Sequence, residues 1–215
     1  MADRLKITEI FASIQGEADA SGWPTVFVRL TGCPLRCAYC DTAYAFTGGQ
    51  WMTVDEVMAA VTAHGLRHVC VTGGEPLAQP RVHGLMTRLC DAGLHVSLET
   101  SGAISTEAVD PRVHVVLDVK APRSGEQDRN LADNLERLKP GVDQLKFVLT
   151  DRSDYEWAKA RVLTESLSER AMVLFSPVTP GLEAKTLAEW IVADRLPVRF
   201  QLQLHKVLWG GEPGR

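Results

Sequence analysis

No apolar run in this 215-residue chain approaches the ~20 residues that a membrane-spanning helix needs. The opening stretch, MADRLKITEI, carries charges throughout and lacks the apolar core of a signal peptide. Positive charge is not in excess either. Twenty-three Lys and Arg stand against 27 Asp and Glu, for a net charge of −4. A polyanion-binding footprint is therefore missing, and direct contact with nucleic acid or membrane is not expected. No repeat or low-complexity segment interrupts the chain. Cysteine is scarce, with five residues, an odd number that cannot all pair within one chain. These absences leave a cytoplasmic protein in a compartment that keeps thiols reduced, where clustered cysteines serve metal or catalysis rather than disulfides. A composition of 45% hydrophobic and 23% charged residues fits one globular domain over residues 1–215.

What is present alternates. Short apolar runs lie at 25–30, 68–72, 95–99, 114–119, 144–149, 172–176 and 199–204. Helical patterns lie between most of them, at 81–91, 130–138, 154–167 and 182–194. Another helix opens on the capping-box pair Thr53 and Glu56 and runs to about His64. The link at 105–110 is too short for a full helix. Strands alternating with helices predict an α/β fold with parallel strands and helical crossovers. A complete eight-fold barrel typically takes ~250 residues. An incomplete, TIM-like barrel is therefore expected, with an open doubly wound sheet as the alternative. Either fold puts its functional loops at the carboxyl ends of the strands. The unusual residues of this sequence follow strand ends: the cysteine loop, TGGEP (72–76), ETSG (99–102), DVKAP (118–122), SPVTPG (176–181) and HK (205–206).

Cys33, Cys37 and Cys40 follow the first run with the spacing C-x3-C-x2-C. Three thiolates hold three irons of a cubane cluster and leave one iron open. The competing reading is zinc, with Asp41 or a distant histidine as fourth ligand. Cys70 lies inside an apolar strand and Cys90 on a helix, and both read as core. In Gly73-Gly74-Glu75-Pro76, two glycines permit a close backbone approach because no Cβ blocks it. Arg29 sits in an otherwise apolar strand, where a buried cation needs a partner.

The three-cysteine loop, with Tyr39 before its last cysteine, resembles the radical S-adenosylmethionine superfamily, as does GGEP. That resemblance implies a radical SAM core, a 4Fe-4S cluster on Cys33, Cys37 and Cys40, and S-adenosylmethionine chelated at the open iron. It also implies an external electron donor of the flavodoxin or ferredoxin type. A finer resemblance extends over nearly the whole chain. EIFASIQGE (9–17), VFVRLTGCPLRCAYCDT, CVTGGEP, ETSG and QLHK stand in the order found in the 7-carboxy-7-deazaguanine synthase family of queuosine biosynthesis. Family members contract the ring of 6-carboxy-5,6,7,8-tetrahydropterin with loss of ammonia, assisted by magnesium, and the family resemblance suggests a homodimer. A glycyl-radical activase and a zinc-binding interaction module are the alternative functions. The activase reading leaves IQGE and ETSG unexplained.

The resemblance implies roles for individual residues. Ile14, Gln15, Gly16 and Glu17 match the substrate segment, together with Thr72, Glu99 and His205, and Lys206 belongs to the same terminal motif. Arg29 meets the substrate carboxylate, with a structural ion pair as the competing reading. Thr42 ligates magnesium. Tyr39, Asp41, Gly74, Asp118, Val119, Lys120, Ser176 and Pro177 fall at cofactor positions. The chain departs from the family pattern where many members have Ser-Pro-Lys and this one has Asp118-Val119-Lys120. It also has Ser176-Pro177 for Gln-Pro, and Ala18 for a glycine. The final WGGEPGR (209–215) reads as a mobile or docking tail.

Overall fold

The computed structural model describes residues 3–210 together with 212 and 214. One sheet organises the chain. Its strands are β1 (Arg4–Ile14), β2 (Pro24–Leu30), β3 (Gln50–Thr53), β4 (His68–Gly73), β5 (His95–Thr100), β6 (His114–Asp118), β7 (Gln144–Leu149), β8 (Met172–Pro177) and β9 (Arg199–Phe200). Their spatial order is β3-β1-β2-β4-β5-β6-β7-β8-β9. β2 and β4 to β9 run parallel. β1 is antiparallel to both β2 and β3. The edge strands β3 and β9 do not pair with each other, so the sheet stays open.

The seven apolar runs correspond to the seven parallel strands. β1 and β3 are additions that apolar runs do not reveal, because β1 alternates charged and apolar residues and β3 is short. The last strand is shorter than its apolar run, since the chain leaves the sheet after Phe200.

Helices cover the outer face. α1 (Val54–Ala63) opens on the expected capping box. Thr53 Oγ1 accepts from Glu56 N at 3.2 Å, and Glu56 Oε2 accepts from Thr53 N at 2.7 Å. α2 (Val82–Asp91) matches its pattern. The helix expected at 130–138 shrinks to one turn, α3 (Asp133–Glu136). Side-chain bonds organise that segment instead. Asn134 donates to Gly102 O and Ile104 O, and Asn130 bonds both Lys120 N and Lys120 O. These bonds tie the segment to the loop after β5 and to the end of β6, so tertiary contacts rather than helical period shape it. The helix expected at 154–167 divides into α4 (Arg152–Thr164) and α5 (Leu167–Arg170), separated by Ser166 at φ 50°. α6 (Ala184–Asp194) and a short α7 (Leu204–Trp209) follow.

Alternation within each strand divides the residues between two faces. Val26, Val28, Val69, Val71, Val96 and Leu98 pack outward against α1 and α2. Val115, Leu117, Leu145, Phe147, Val173 and Phe175 pack outward against α4, α5 and α6. The opposite face of β2, β4, β5, β6 and β7 lines a single cavity of about 340 Å³. Among the described residues, no helix is long and apolar enough to cross a membrane.

Candidate active site

The cysteine loop leaves β2 at Gly32 and is tied down on both sides. Leu35 is buried at 1% exposure, and its N–H donates to Cys33 Sγ at 3.4 Å. Arg36 Nη1 donates to Cys33 O at 2.8 Å, and the guanidinium lies 4.3 Å from the Phe46 ring centroid. Arg36 N donates to Glu126 Oε1, and Ala38 N donates to Ser124 O at 2.9 Å. Gly74 shows why GGEP needs glycine. A Cβ there would collide with Gly32 O and lie 2.9 Å from Cys33 Cβ. The second strand end is thus pressed onto the base of the cysteine loop. Glu75 does not face the cavity. It is fully buried and accepts from Leu77 N, Thr100 Oγ1 and Ser101 N, joining the β4 and β5 ends.

Cys33, Cys37 and Cys40 all line the cavity. Burial pushes the Cys33 and Cys37 thiols up, and the Lys120 ammonium partly opposes this. Metal loading therefore has to release protons from these thiols. Among the described residues, no three or more His, Cys, Asp or Glu side chains gather as a site for one metal ion. A mononuclear zinc site would need that convergence. A cubane needs separate thiolates on separate irons, so an all-sulfur donor set along one cavity wall fits it. Cys70 is buried in β4 and Cys90 is half-buried on α2, consistent with packing roles.

Beside the thiols stand Tyr39, Asp41 and Thr42. Tyr39 donates to Val148 O at 3.4 Å, and burial pushes its phenol up. Asp41 bonds Lys206 at 2.8 Å and accepts from Thr42 Oγ1 at 2.9 Å. Burial alone would raise Asp41, but Lys206 and Thr42 outweigh it and hold the carboxyl at about 2. Lys120 is paired with Asp118 at 2.9 Å, and that partner raises it against burial. Asp118, Lys120 and Gly74 are on the cavity wall. The Val119 side chain instead packs into the outer core. Ser176 is fully buried and donates to Gln201 O at 2.9 Å. Val119, Ser176 and Pro177 are absent from the cavity lining.

The other wall carries Glu99. Its Oε1 accepts from Gln15 Nε2 at 3.3 Å and its Oε2 from Thr72 Oγ1 at 3.1 Å. Parallel pairing sets Thr72 beside Arg29. Arg29 has a protein partner, Glu9, at 2.7 Å, so an ion pair exists within the chain. Glu17 bonds Gln203 Nε2 at 2.7 Å and Lys146 Nζ at 2.5 Å. Burial would raise Glu17, but Lys146, Gln203 and His205 outweigh it and leave its pKa lowered. Lys146 is raised by Glu17 and Asp118 against its burial. Gly16 is another position where glycine is required. A Cβ would collide with the His205 ring, and Leu204 N donates to Gly16 O at 3.0 Å. The IQGE and QLHK motifs, some 190 residues apart in sequence, therefore meet. Ile14, Gln15, Glu17 and His205 line the cavity, whereas Gly16 acts as the seat for His205.

The sequence reading did not single out Lys146, Gln203, Glu9 or Tyr44. Lys146 carried a usable signal, a lone charge inside the apolar run QLKFVL, the same signal that marked Arg29. The tail reading for 209–215 falls partly outside the described residues. Of that stretch, Trp209 ends α7, and Gly210, Glu212 and Gly214 border the cavity.

Residues 27–147 match the model of the radical SAM superfamily. The chain is 48% identical to the 7-carboxy-7-deazaguanine synthase of Chlorobaculum tepidum, over 95% of this chain and 94% of that protein. Its fold is similar to the crystal structure of QueE from Escherichia coli, with TM-score 0.78 and 25% identity over 94% and 95% of the two chains. Streptococcus suis SuiB bound to S-adenosylmethionine shares the fold at TM-score 0.55 and 12% identity, over 80% of this chain and 44% of that one. With these neighbours, the open, mostly parallel sheet is a partial TIM-like barrel rather than a doubly wound sheet. Three cysteines on one wall, a strand end that only glycine fits beneath them and kinship along nearly the whole chain agree on one conclusion: the chain belongs to the radical SAM superfamily and, within it, to the 7-carboxy-7-deazaguanine synthases.

Proposed function

We propose that this chain converts 6-carboxy-5,6,7,8-tetrahydropterin to 7-carboxy-7-deazaguanine, as one radical SAM domain. The observation that carries the substrate side is the pairing of Glu99 and Arg29 in one cavity with the three cysteines. A pterin offers an edge of N–H donors and, here, a carboxylate. Glu99 is an acceptor held by Gln15 and Thr72, and it suits the amino and ring N–H groups. Arg29 suits the carboxylate. His205, seated on Gly16, and Glu17, held by Lys146, border the same space.

Cys33, Cys37 and Cys40 would hold the 4Fe-4S cluster. The bound cluster and S-adenosylmethionine supply radical initiation. Tyr39, Asp41, Gly74, Asp118 and Lys120 would line the S-adenosylmethionine side. Thr42 would offer its hydroxyl to magnesium, which takes oxygen ligands from few protein groups plus substrate and water. The electron comes from a flavodoxin- or ferredoxin-like donor, in the cytoplasm, and the working unit is a homodimer.

Anaerobically reconstituted protein, given the carboxy-tetrahydropterin, S-adenosylmethionine, magnesium and a reductant, is expected to yield the deazaguanine by mass spectrometry. Cleavage of S-adenosylmethionine with no deazaguanine would sink the substrate assignment. Thr42→Ala is expected to keep full iron and sulfide while magnesium-stimulated turnover falls by about tenfold or more. A magnesium titration checks this, and loss of the cluster in the variant would argue against a magnesium role.

A further inference from the structure

β1 does not run evenly past β2. Ile7 pairs with Leu30 and Glu9 pairs with Arg29, so two steps along β1 match one step along β2. That count is a β-bulge, which changes the face a side chain points to. On the near side of the bulge, Leu5 and Ile7 face the outer core. Beyond it, Ile10 takes the core side, while Phe11 opposes Phe27 on the cavity wall. Without the bulge, Glu9 would share a face with Ile7 and enter the apolar core. With it, Glu9 stands directly beside Arg29.

The contacts there hold one guanidinium from several directions. Glu9 Oε1 accepts from Arg29 Nε at 2.7 Å and from Tyr44 Oη at 2.8 Å. The guanidinium carbon lies 5.8 Å from the Phe11 ring centroid and 5.9 Å from that of Tyr44, both within cation–π range. Exposure of the Arg29 and Glu9 side chains is 15% and 23%, so the pair is largely shielded from solvent. Glu9 takes the Nε edge, which leaves the two Nη groups to meet a ligand. An arginine held this way loses little further freedom on binding, and its planar fork is already oriented for bidentate recognition.

We propose that Glu9 and Tyr44 are positioning residues that set Arg29 as the receptor for the substrate carboxylate. This rests on the carboxypterin reading above. Glu9 acts through Arg29 and does not itself touch the substrate. Its negative charge beside a carboxylate site would otherwise oppose binding, so orientation has to outweigh repulsion.

The test is equilibrium binding to the reconstituted protein with S-adenosylmethionine present, using pterin-6-carboxylate and unsubstituted pterin as probes. Wild type is expected to prefer the carboxylated probe by about tenfold or more. Glu9→Gln keeps the shape and removes the charge. It should cut that preference to about threefold or less and leave unsubstituted pterin within about twofold of wild type. Tyr44→Phe should shift the preference the same way by a smaller factor, which keeps a readout if Glu9→Gln folds poorly. In turnover, Glu9→Gln should raise KM more than it lowers kcat. Equal preference in wild type and both variants, or tighter binding of the carboxylated probe to Glu9→Gln, overturns the positioning role alone. No preference in wild type overturns the carboxylate assignment of Arg29, and this proposal with it.

Discussion

Cys37→Ala is expected to give a folded protein with no intact cubane and no detectable turnover. The loop does not depend on the Cys37 thiol for its shape. Leu35 anchors it in the core, Arg36 bonds the carbonyls of Cys33 and Leu35, and Ala38 bonds Ser124. What the substitution removes is one of three thiolates, each of which would hold a different iron of the proposed cluster. No other described cysteine is placed to substitute, since Cys70 lies buried in β4 and Cys90 on α2. Iron and sulfide analysis after anaerobic reconstitution, with far-UV circular dichroism as the control for folding, reads the result. Cys90→Ala should retain full iron and turnover. A Cys37→Ala protein that keeps four irons and activity would remove the loop from the mechanism altogether.

Lys146→Met should lower the stability of the chain by about 3–5 kcal/mol at neutral pH, the range for breaking one side of a buried ion pair. Lys146 is about 10% exposed at its side chain and lies between Glu17 at 2.5 Å and Asp118 at 3.9 Å. Its loss leaves Glu17 without a cation, whereas Asp118 keeps Lys120 at 2.9 Å. The sign with pH follows from Glu17, whose pKa in the fold lies below its ordinary value of 4.5. A depressed carboxylate contributes stability above its unfolded pKa and loses it as pH falls through the folded one. Wild type should therefore keep this contribution at pH 7 and 5 and lose it below about 4.5. In Lys146→Met, Glu17 takes up its proton at higher pH, so the deficit against wild type should shrink on going from pH 7 to pH 5. Urea unfolding at both pH values measures it. Glu17→Gln combined with Lys146→Met should recover part of the loss by removing the stranded charge. An unchanged midpoint in Lys146→Met would mean that the buried triad adds nothing to stability.

Lys146 and Arg29 also mark how far local reading reaches. Each is a lone cation in an apolar strand, so sequence can say that each needs a partner. It cannot say which. Arg29 was matched to a substrate carboxylate, and the fold adds Glu9, which reaches it only because a bulge turns over the alternation of β1. Lys146 meets Glu17 across 129 residues, a pairing that requires β7 and the end of β1 to face one cavity. GGEP divides similarly. Both of its glycines lie in close backbone approach, Gly73 on Leu30 and Gly74 on Gly32, whereas its glutamate turns away from the cavity to join two strand ends.

The seven parallel strands, the Thr53 cap, the three-thiol donor set and the kinship carried by the ordered motifs are all legible in the chain before it folds. Each of these is written in residue type and short-range spacing, where hydrophobic period and capping chemistry act directly. The long-range asparagine bonds around α3, the outward turn of Val119, the structural use of Ser176 and the charge partners of Arg29 and Lys146 emerge only when the chain is folded. Those outcomes depend on register and on which face of a strand meets which loop. One bulged residue is enough to change the facing side, and no local propensity records it.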